Sequence, residues 1–117
     1  MKYQFSLNPY RQKNISFKFF GVDVEALSPE ESVLINISWW GWTPEELQLI
    51  IDESKAVVGN QRYTYIVEAS DFIIDVYIDE VLFFDAFSKQ QEPEFTWPFD
   101  KFIDFIEQFK AFVAENR

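Results

Sequence analysis

The sequence predicts an α+β protein in which an antiparallel sheet of about five to six strands carries two helices on one face. The predicted elements follow the order βββ-α-βββ-α, and short hairpin links stand where parallel strands would need helical crossovers. The chain has 117 residues, of which 48% are hydrophobic, so it is long enough to bury a core of its own. We therefore expect residues 1–117 to form a single domain.

The first three strands are predicted from apolar residues at every second position. This pattern covers residues 3–7, 15–19 and 33–39, and the Asn8-Pro9 pair between the first two segments is typical of a turn. The first two strands are expected to form a hairpin. In the third strand the inward-facing set is Val33, Ile35, Ile37 and Trp39.

The first helix is predicted to begin after Thr43. The run Thr43-Pro44-Glu45-Glu46 supplies an N-cap, a proline at the first helical position and acids in the first turn, and Glu46 completes a capping box. An apolar stripe at helical spacing then runs from Leu47 to Val58. Gly59 is expected to end the helix as its C′ residue.

The second half of the chain is predicted to contain further strands and a terminal helix. Residues 62–68 form one strand, and Phe72, Ile74, Val76 and Ile78 define the core face of the next. Residues 82–87 form either another strand or an extension of that one. Residues 88–98 are interpreted as a loop, followed by a helix from about Pro98 to Glu115.

The terminal helix carries an apolar surface that is wider than one narrow stripe, because Phe105 and Phe112 lie off the line of Phe102, Ile106 and Phe109. Two interpretations remain open. The surplus surface packs into a concave sheet of the same chain, or it is covered by a second copy or another partner.

Two residue types are missing from the chain, and their absence excludes several classes of chemistry. Without His there is no Ser-His-Asp triad and no imidazole proton shuttle. Without Cys there is no disulfide framework, no thiolate nucleophile and no Cys-based metal site. We therefore expect a protein that is not an enzyme and that carries no cofactor.

The charge of the chain is strongly negative and unevenly distributed. The formal net charge is −10, yet residues 1–20 contain Lys2, Arg11, Lys13 and Lys18 and no acid. The densest acidic segment runs from Glu68 to Glu94, where Lys89 is the one basic residue. Such a field repels nucleic acid and steers basic partners toward the protein, although a low isoelectric point also serves solubility alone.

The candidate binding residues lie in and beside the predicted strand at residues 72–78. Alternation places Asp71, Asp75, Tyr77 and Asp79 on its outward face, and the aspartates follow each other at steps of about 13 Å, too far apart to share a metal ion. Glu68 and Asp85 would join them if a hairpin brought them alongside. The alternatives are an ordinary solvated sheet face, a docking face for Lys and Arg side chains, and carboxylate or metal chemistry.

The run Trp39-Trp40-Gly41-Trp42 supplies a second candidate contact. Alternation buries one of Trp39 and Trp40 and turns the other outward, and Trp42 is placed to act as a hydrophobic staple against Leu47. Exposed tryptophans are common interface hot spots. Trp40 is therefore added to the predicted partner-binding residues.

Neither a signal peptide nor a transmembrane segment is predicted. The longest uncharged run, residues 32–44, contains several polar residues and is shorter than the roughly 20 residues that span a bilayer. We expect a cytoplasmic protein that binds neither membranes nor nucleic acid. The expected oligomeric state is a monomer or a weak homodimer.

The whole chain resembles a group of small acidic bacterial immunity proteins. The features in common are the net charge of −10, the aromatic-rich strands, the helix opened by Pro44 and the Phe-rich helix ending in residues 112–116. Proteins of this group neutralise polymorphic toxins, including those of contact-dependent growth inhibition. The resemblance implies a cytosolic inhibitor that covers the active site of a basic toxin domain, often a nuclease.

Two other functions are compatible with the same residues. One is an acidic DNA mimic or regulatory binding protein of phage or bacterial origin, which would share the electrostatics but not the partner. The other, less favoured, is a carboxylate-based or metal-assisted enzyme, since paired Asp and Glu residues can do acid–base work without His.

Overall fold

The computed structural model describes residues 5–7, 20–22, 31–68, 70–85 and 92–116. In chain order its elements are β1 (Phe5–Leu7), β2 (Phe20–Val22), a 3-10 helix (Glu31–Ile37), α1 (Pro44–Lys55), β3 (Tyr63–Val67), β4 (Phe72–Val76), β5 (Glu80–Phe84), β6 (Phe95–Pro98) and α2 (Phe99–Asn116). The predicted α+β class is confirmed: antiparallel strands and two helices form the fold.

Four of the strands form one antiparallel sheet with the order β3-β4-β5-β6. Tyr65 lies opposite Ile74, Ile74 opposite Phe83, and Phe83 opposite Phe95, so these side chains share one face of the sheet. Both helices pack on that face. Trp42, just before α1, stacks on Tyr65 at 5.8 Å between ring centroids, and Phe102 of α2 meets the ring of Phe83 at 6.0 Å.

The other two strands, β1 and β2, form a small antiparallel ribbon on α2. Phe5 lies opposite Val22 in this ribbon. Its ring lies 5.6 Å from that of Phe105 and 5.5 Å from that of Phe112, between ring centroids. The wide aromatic surface of α2 is thus covered on both sides by the same chain, and the ribbon takes the surface that the four-stranded sheet does not reach. The predicted strand at residues 15–19 and the turn at Asn8-Pro9 lie outside the described residues.

The strand predicted at residues 33–39 is wrong, because Glu31–Ile37 forms a 3-10 helix. Its buried side chains, Leu34 and Ile37, are three residues apart, which matches the three residues per turn of such a helix. The indole N–H of Trp42 donates to the Ile37 carbonyl at 2.7 Å and so satisfies a group at the end of this helix. Apolar side chains at both odd and even positions of this segment made strand and helix hard to distinguish.

The Thr43 N-cap and the first helical position at Pro44 are as predicted, but the C-terminus of α1 is not. Thr43 Oγ1 accepts a hydrogen bond from the Glu46 N–H at 3.0 Å, which is the N-cap half of a capping box. The Glu46 carboxylate accepts a hydrogen bond from the Tyr65 hydroxyl at 3.0 Å, which ties α1 to β3. The helix ends at Lys55 with Ala56 as its C-cap, so Gly59, at φ +57°, belongs to the following turn rather than to the helix end.

Two further corrections concern the sheet. Ile78 was predicted to face the core, but it lies at the tip of the β4–β5 hairpin and is 55% exposed. The reason is that the Tyr77 N–H donates to the Glu80 carbonyl and closes a two-residue loop that contains Ile78. Phe95–Pro98, predicted as part of a loop, forms β6. None of the helices that the structure describes is long and apolar enough to cross a membrane.

Candidate functional site

The three aspartates of the predicted acidic strand do not form an outward row. β4 spans only Phe72–Val76, so Asp71 lies in the turn before it and Asp79 in the turn after it. The two carboxylates therefore lie at opposite ends of the strand. A partner that contacts one end of the sheet meets one of them and not the other.

Asp75 faces the outer side of the sheet, as alternation predicts, but its side chain is not available to solvent. The residue is 8% exposed. The Thr64 hydroxyl donates to Asp75 Oδ1 at 2.6 Å, and Arg62 Nη1 lies 3.8 Å from Asp75 Oδ2. This carboxylate therefore stabilises the pairing of β3 with β4, and the expectation that it projects into solvent is wrong.

Tyr77 is half-buried beside the same arginine. Arg62 donates a hydrogen bond to the Tyr77 hydroxyl, and this bond, followed by the negative charge of Asp75, raises the pKa of the guanidinium above its usual value. Arg62, Asp75 and Tyr77 are thus linked to one another at the outer face of the sheet. The aromatic anchor predicted at Tyr77 is engaged within the chain.

A different set of carboxylates converges at the end of the sheet where β3 leads into β4. Val67 lies opposite Phe72, Ile73 opposite Phe84, and Phe83 opposite Phe95. The acidic residues adjacent to these pairs consequently fall at one end of four neighbouring strands. We call them the sheet-end row: Glu68, Asp71, Asp85 and Glu94.

The spacing of the sheet-end row follows from strand geometry. Neighbouring strands lie about 4.8 Å apart, so the row runs across the width of the sheet, on the order of 14 Å. Three of its members, Glu68, Asp71 and Asp85, belong to the predicted partner-binding set. Glu94 was missed because residues 88–98 were interpreted as a loop, although alternation of Phe95 and Trp97 with Thr96 was a signal for a strand there.

The turn that carries Glu68 and Asp71 is held by hydrogen bonds on two sides. The Val67 carbonyl accepts from the Ser70 N–H at 3.2 Å and from the Asp71 N–H at 2.8 Å. The Ser70 hydroxyl donates to the carbonyl of Asn36, which ties the turn to the 3-10 helix. Asp71 adopts φ 55°, a left-handed conformation that Asp tolerates better than most residues.

The cationic side chains that the structure describes belong to other parts of the fold than the two connections that carry the row. They are Lys55 at the end of α1, Arg62 before β3, and Lys101 and Lys110 in α2. Lys101 lies 3.5 Å from Glu31 and 4.7 Å from the centre of the Trp97 ring, and Lys110 lies 3.3 Å from Glu107. Glu31, Trp97 and Glu107, which these two lysines contact, are not members of the row.

The row is arranged as a surface rather than as a coordination site. Within the described residues, no group of three acidic side chains is placed to hold a metal ion together. Carboxylates lined up along the end of a sheet can instead accept hydrogen bonds from several Lys or Arg side chains at once.

Trp40 is the most exposed of the tryptophans and lies outside the row. Trp39 pairs with Phe20 through an antiparallel backbone bridge. Trp40 is 57% exposed, and its ring centroid lies 6.2 Å from that of Trp39. Trp40 thus faces outward, as was predicted for one member of this pair, while Trp39 is partly rather than fully buried. Trp42 is buried, as its predicted staple role requires.

The comparisons with known proteins identify no relative. No protein-family model matches the chain, no curated protein matches it, and no solved structure matches it.

Proposed function

We propose that this chain is a binding protein that holds a basic protein partner on the sheet-end row. We further propose that the partner is a toxin domain and that the chain acts as an immunity protein by covering the toxin's active site. The observation that supports this is the convergence of Glu68, Asp71, Asp85 and Glu94, which come from two separate connections of the sheet, β3–β4 and β5–β6.

The physical basis of the proposal is electrostatic attraction by a surface that is formed before the partner arrives. The hydrogen-bonded turn at Ser70 and Asp71 fixes the backbone that carries two of the carboxylates, so little backbone freedom is lost on binding. With a net charge of −10, the chain attracts a cationic partner over distances of about a Debye length. Such steering raises the association rate more than it slows dissociation.

Trp40 is retained in the proposed interface as an apolar contact. A large exposed aromatic side chain contributes contact area at a small cost in conformational entropy. In this proposal Asp75 and Tyr77 do not contact the partner, because both side chains interact with Arg62.

The experiment begins with a basic protein encoded directly beside the gene for this chain. That protein is expressed in a bacterial host alone and together with this chain, and growth is measured. Toxicity alone and restored growth on co-expression are the expected results. Association of the two purified proteins is then followed by stopped-flow fluorescence, and the rate should fall at least about tenfold between low salt and about 0.5 M salt.

A matched pair of variants distinguishes the effect of the sheet-end row from the effect of net charge alone. The row variant neutralises its four carboxylates as Glu68→Gln, Asp71→Asn, Asp85→Asn and Glu94→Gln. The control variant removes the same charge from exposed helix positions as Glu45→Gln, Glu53→Gln, Asp104→Asn and Glu115→Gln. We expect the row variant to lose protection and the control variant to retain it.

Three outcomes contradict the proposal at different levels. A neighbouring protein that is harmless, or whose toxicity this chain does not relieve, rules out the immunity role. Association that is insensitive to salt rules out electrostatic steering. Equal effects of the two variants place the interface elsewhere on the molecule.

A further inference from the structure

Among the described residues β3 is an edge strand, and its own sequence lacks the features that usually protect one. It lies at the end of the order β3-β4-β5-β6, and among the described residues β4 is the one strand paired with it. Its sequence, Tyr-Thr-Tyr-Ile-Val, contains no Pro, no Lys and no Gly. Ile66 is 52% exposed on its outer face. Natural edge strands are commonly blocked by prolines, charges or bulges, because an open edge is a template for another strand.

The pairing register shows which backbone groups of β3 point to the open side. The Tyr77 N–H donates to the Glu80 carbonyl, so Asp75 and Ile73, at two-residue steps along β4, also bond toward β5. The alternate residues of β4 bond toward β3, where they meet Tyr63, Tyr65 and Val67. The N–H and C=O groups of Thr64 and Ile66 are therefore directed away from the sheet.

The charges that flank this edge are complementary to each other. Arg62 and Glu68 lie three residues before and three residues after Tyr65, both exposed. When two copies of the strand run antiparallel about Tyr65, Arg62 of each copy lies opposite Glu68 of the other. In the same register Thr64 of each copy lies opposite Ile66 of the other. In these two Thr64–Ile66 pairs the backbone N–H and C=O groups point toward the other copy.

We propose that two copies of this chain associate through β3 in this antiparallel register and so join their sheets into one of eight strands. The two Thr64–Ile66 pairs supply four backbone hydrogen bonds, and the outer face of each pair carries an Ile66 side chain against a Thr64 side chain. The arrangement is an isologous two-fold interface. Its small contact area makes the dimer weak, so that it forms at high micromolar concentrations.

A strand from a cationic partner is the other occupant that the edge could take, and the pattern of charges favours a second copy. A uniformly cationic strand would meet Arg62, whereas a second copy pairs both flanking charges. The salt dependence has opposite signs in the two cases. Each copy has a net charge of −10, so salt screens their mutual repulsion and strengthens the dimer, whereas salt weakens binding of a cationic partner.

The experiment is sedimentation velocity of the full chain over a range of concentrations, at low salt and at about 0.5 M salt. We expect a monomer–dimer equilibrium that shifts at least about threefold toward dimer at high salt. Ile66→Lys places a cation in the centre of the interface and should abolish the dimer. The matched control is Ile78→Lys, the same change at a side chain of similar exposure in the β4–β5 loop, which should leave it unchanged.

A second variant tests the register. Glu68→Arg places two arginines opposite each other at both ends of the pair, and the dissociation constant should rise at least about fivefold. Far-ultraviolet circular dichroism of each variant at low concentration checks that the monomer remains folded.

The proposal is overturned by a chain that stays monomeric under all these conditions, by a dimer that weakens with salt, or by Ile66→Lys and Ile78→Lys behaving alike. It is also overturned if the Ile66→Lys variant sediments like the wild type but no longer binds a cationic partner. The dimer does not depend on the proposed immunity role. Failure of the growth experiment leaves the sedimentation result standing, and the reverse is equally true.

Discussion

The ring of Phe5 stacks on the ring of Phe109, with 5.3 Å between their centroids and 3° between their planes. This pair joins β1, the first strand of the sequence, to the middle of α2, the last helix. Phe109 also meets Trp42 edge-on at 5.6 Å, so α2 is packed between the N-terminal ribbon and the residues that lead into α1. The apolar surface of α2 is therefore covered by other parts of the same chain. For this reason we place the proposed dimer contact on the sheet edge and not on this helix.

Truncation of Phe5 should destabilise the protein strongly. Phe5→Ala removes ring contacts with Phe105, Phe109 and Phe112, and we expect a loss of about 2–4 kcal/mol in the free energy of unfolding, measured by urea denaturation. Ile78→Ala, at an exposed loop position, is the control and should change stability by less than about 0.5 kcal/mol. A Phe5→Ala protein as stable as the wild type would show that the ribbon contributes nothing to the core.

Neutralising Asp75 should cost stability, whereas neutralising Asp79 should not. Asp75→Asn keeps an oxygen for the Thr64 hydroxyl but loses the attraction of Arg62, and we expect a loss of about 1–2 kcal/mol in the free energy of unfolding. Asp79→Asn lies in an exposed turn and should change it by less than about 0.5 kcal/mol. Equal stabilities in urea denaturation would mean that the network around Asp75 is not structural.

Removing the hydroxyl of Ser54 should stabilise the protein. Ser54 is a buried residue of α1 whose Oγ has no hydrogen-bond partner among the described residues, and Ala is the better helix former. We expect Ser54→Ala to raise the free energy of unfolding by about 0.5–1.5 kcal/mol. Glu53→Ala, the exposed neighbour, controls for helix propensity alone, and a larger gain there than at Ser54 would contradict this explanation.

Stability should decline in alkali, and Tyr65 should account for part of the decline. Burial, together with the charge of Glu46 and the hydrogen bond to it, raises the pKa of the Tyr65 hydroxyl above its usual value of 10.0. Burial also raises the pKa of Tyr63. The folded state holds these protons more tightly than the unfolded state, so the associated stability is complete below pH 10.0 and is lost as the pH rises above it.

Tyr65→Phe tests this pH dependence. The substitution removes the titrating hydroxyl, and urea midpoints measured from neutral pH to above pH 10 should fall less steeply than those of the wild type. At neutral pH the variant should be less stable by about 1 kcal/mol, because the hydrogen bond to Glu46 is lost. An unchanged alkaline slope would exclude Tyr65 as a contributor.

The elements that could be predicted from sequence are those whose determinants lie close together in the chain. The N-cap at Thr43, the helix after Pro44 and the Phe-rich helix α2 follow from local hydrogen bonding and from apolar residues at helical spacing. Alternation likewise predicted β3 and β4. The 3-10 helix and β6 were missed because each is stabilised by contacts from later or neighbouring elements: the Ser70 hydroxyl donates to the Asn36 carbonyl in the first, and β5 pairs with the second.

For the candidate site, the composition could be taken from the sequence alone: an acidic chain without His or Cys, whose carboxylates are concentrated between residues 68 and 94. Which of those carboxylates lie together depends on how the strands pair. Strand register brings Glu68, Asp71 and Asp85 to one end of the sheet and directs Asp75 to Arg62 and Thr64. The physical reason is that a side chain's solvent exposure depends on where its strand ends and on what lies across from it, and both are set by contacts between residues far apart in the chain.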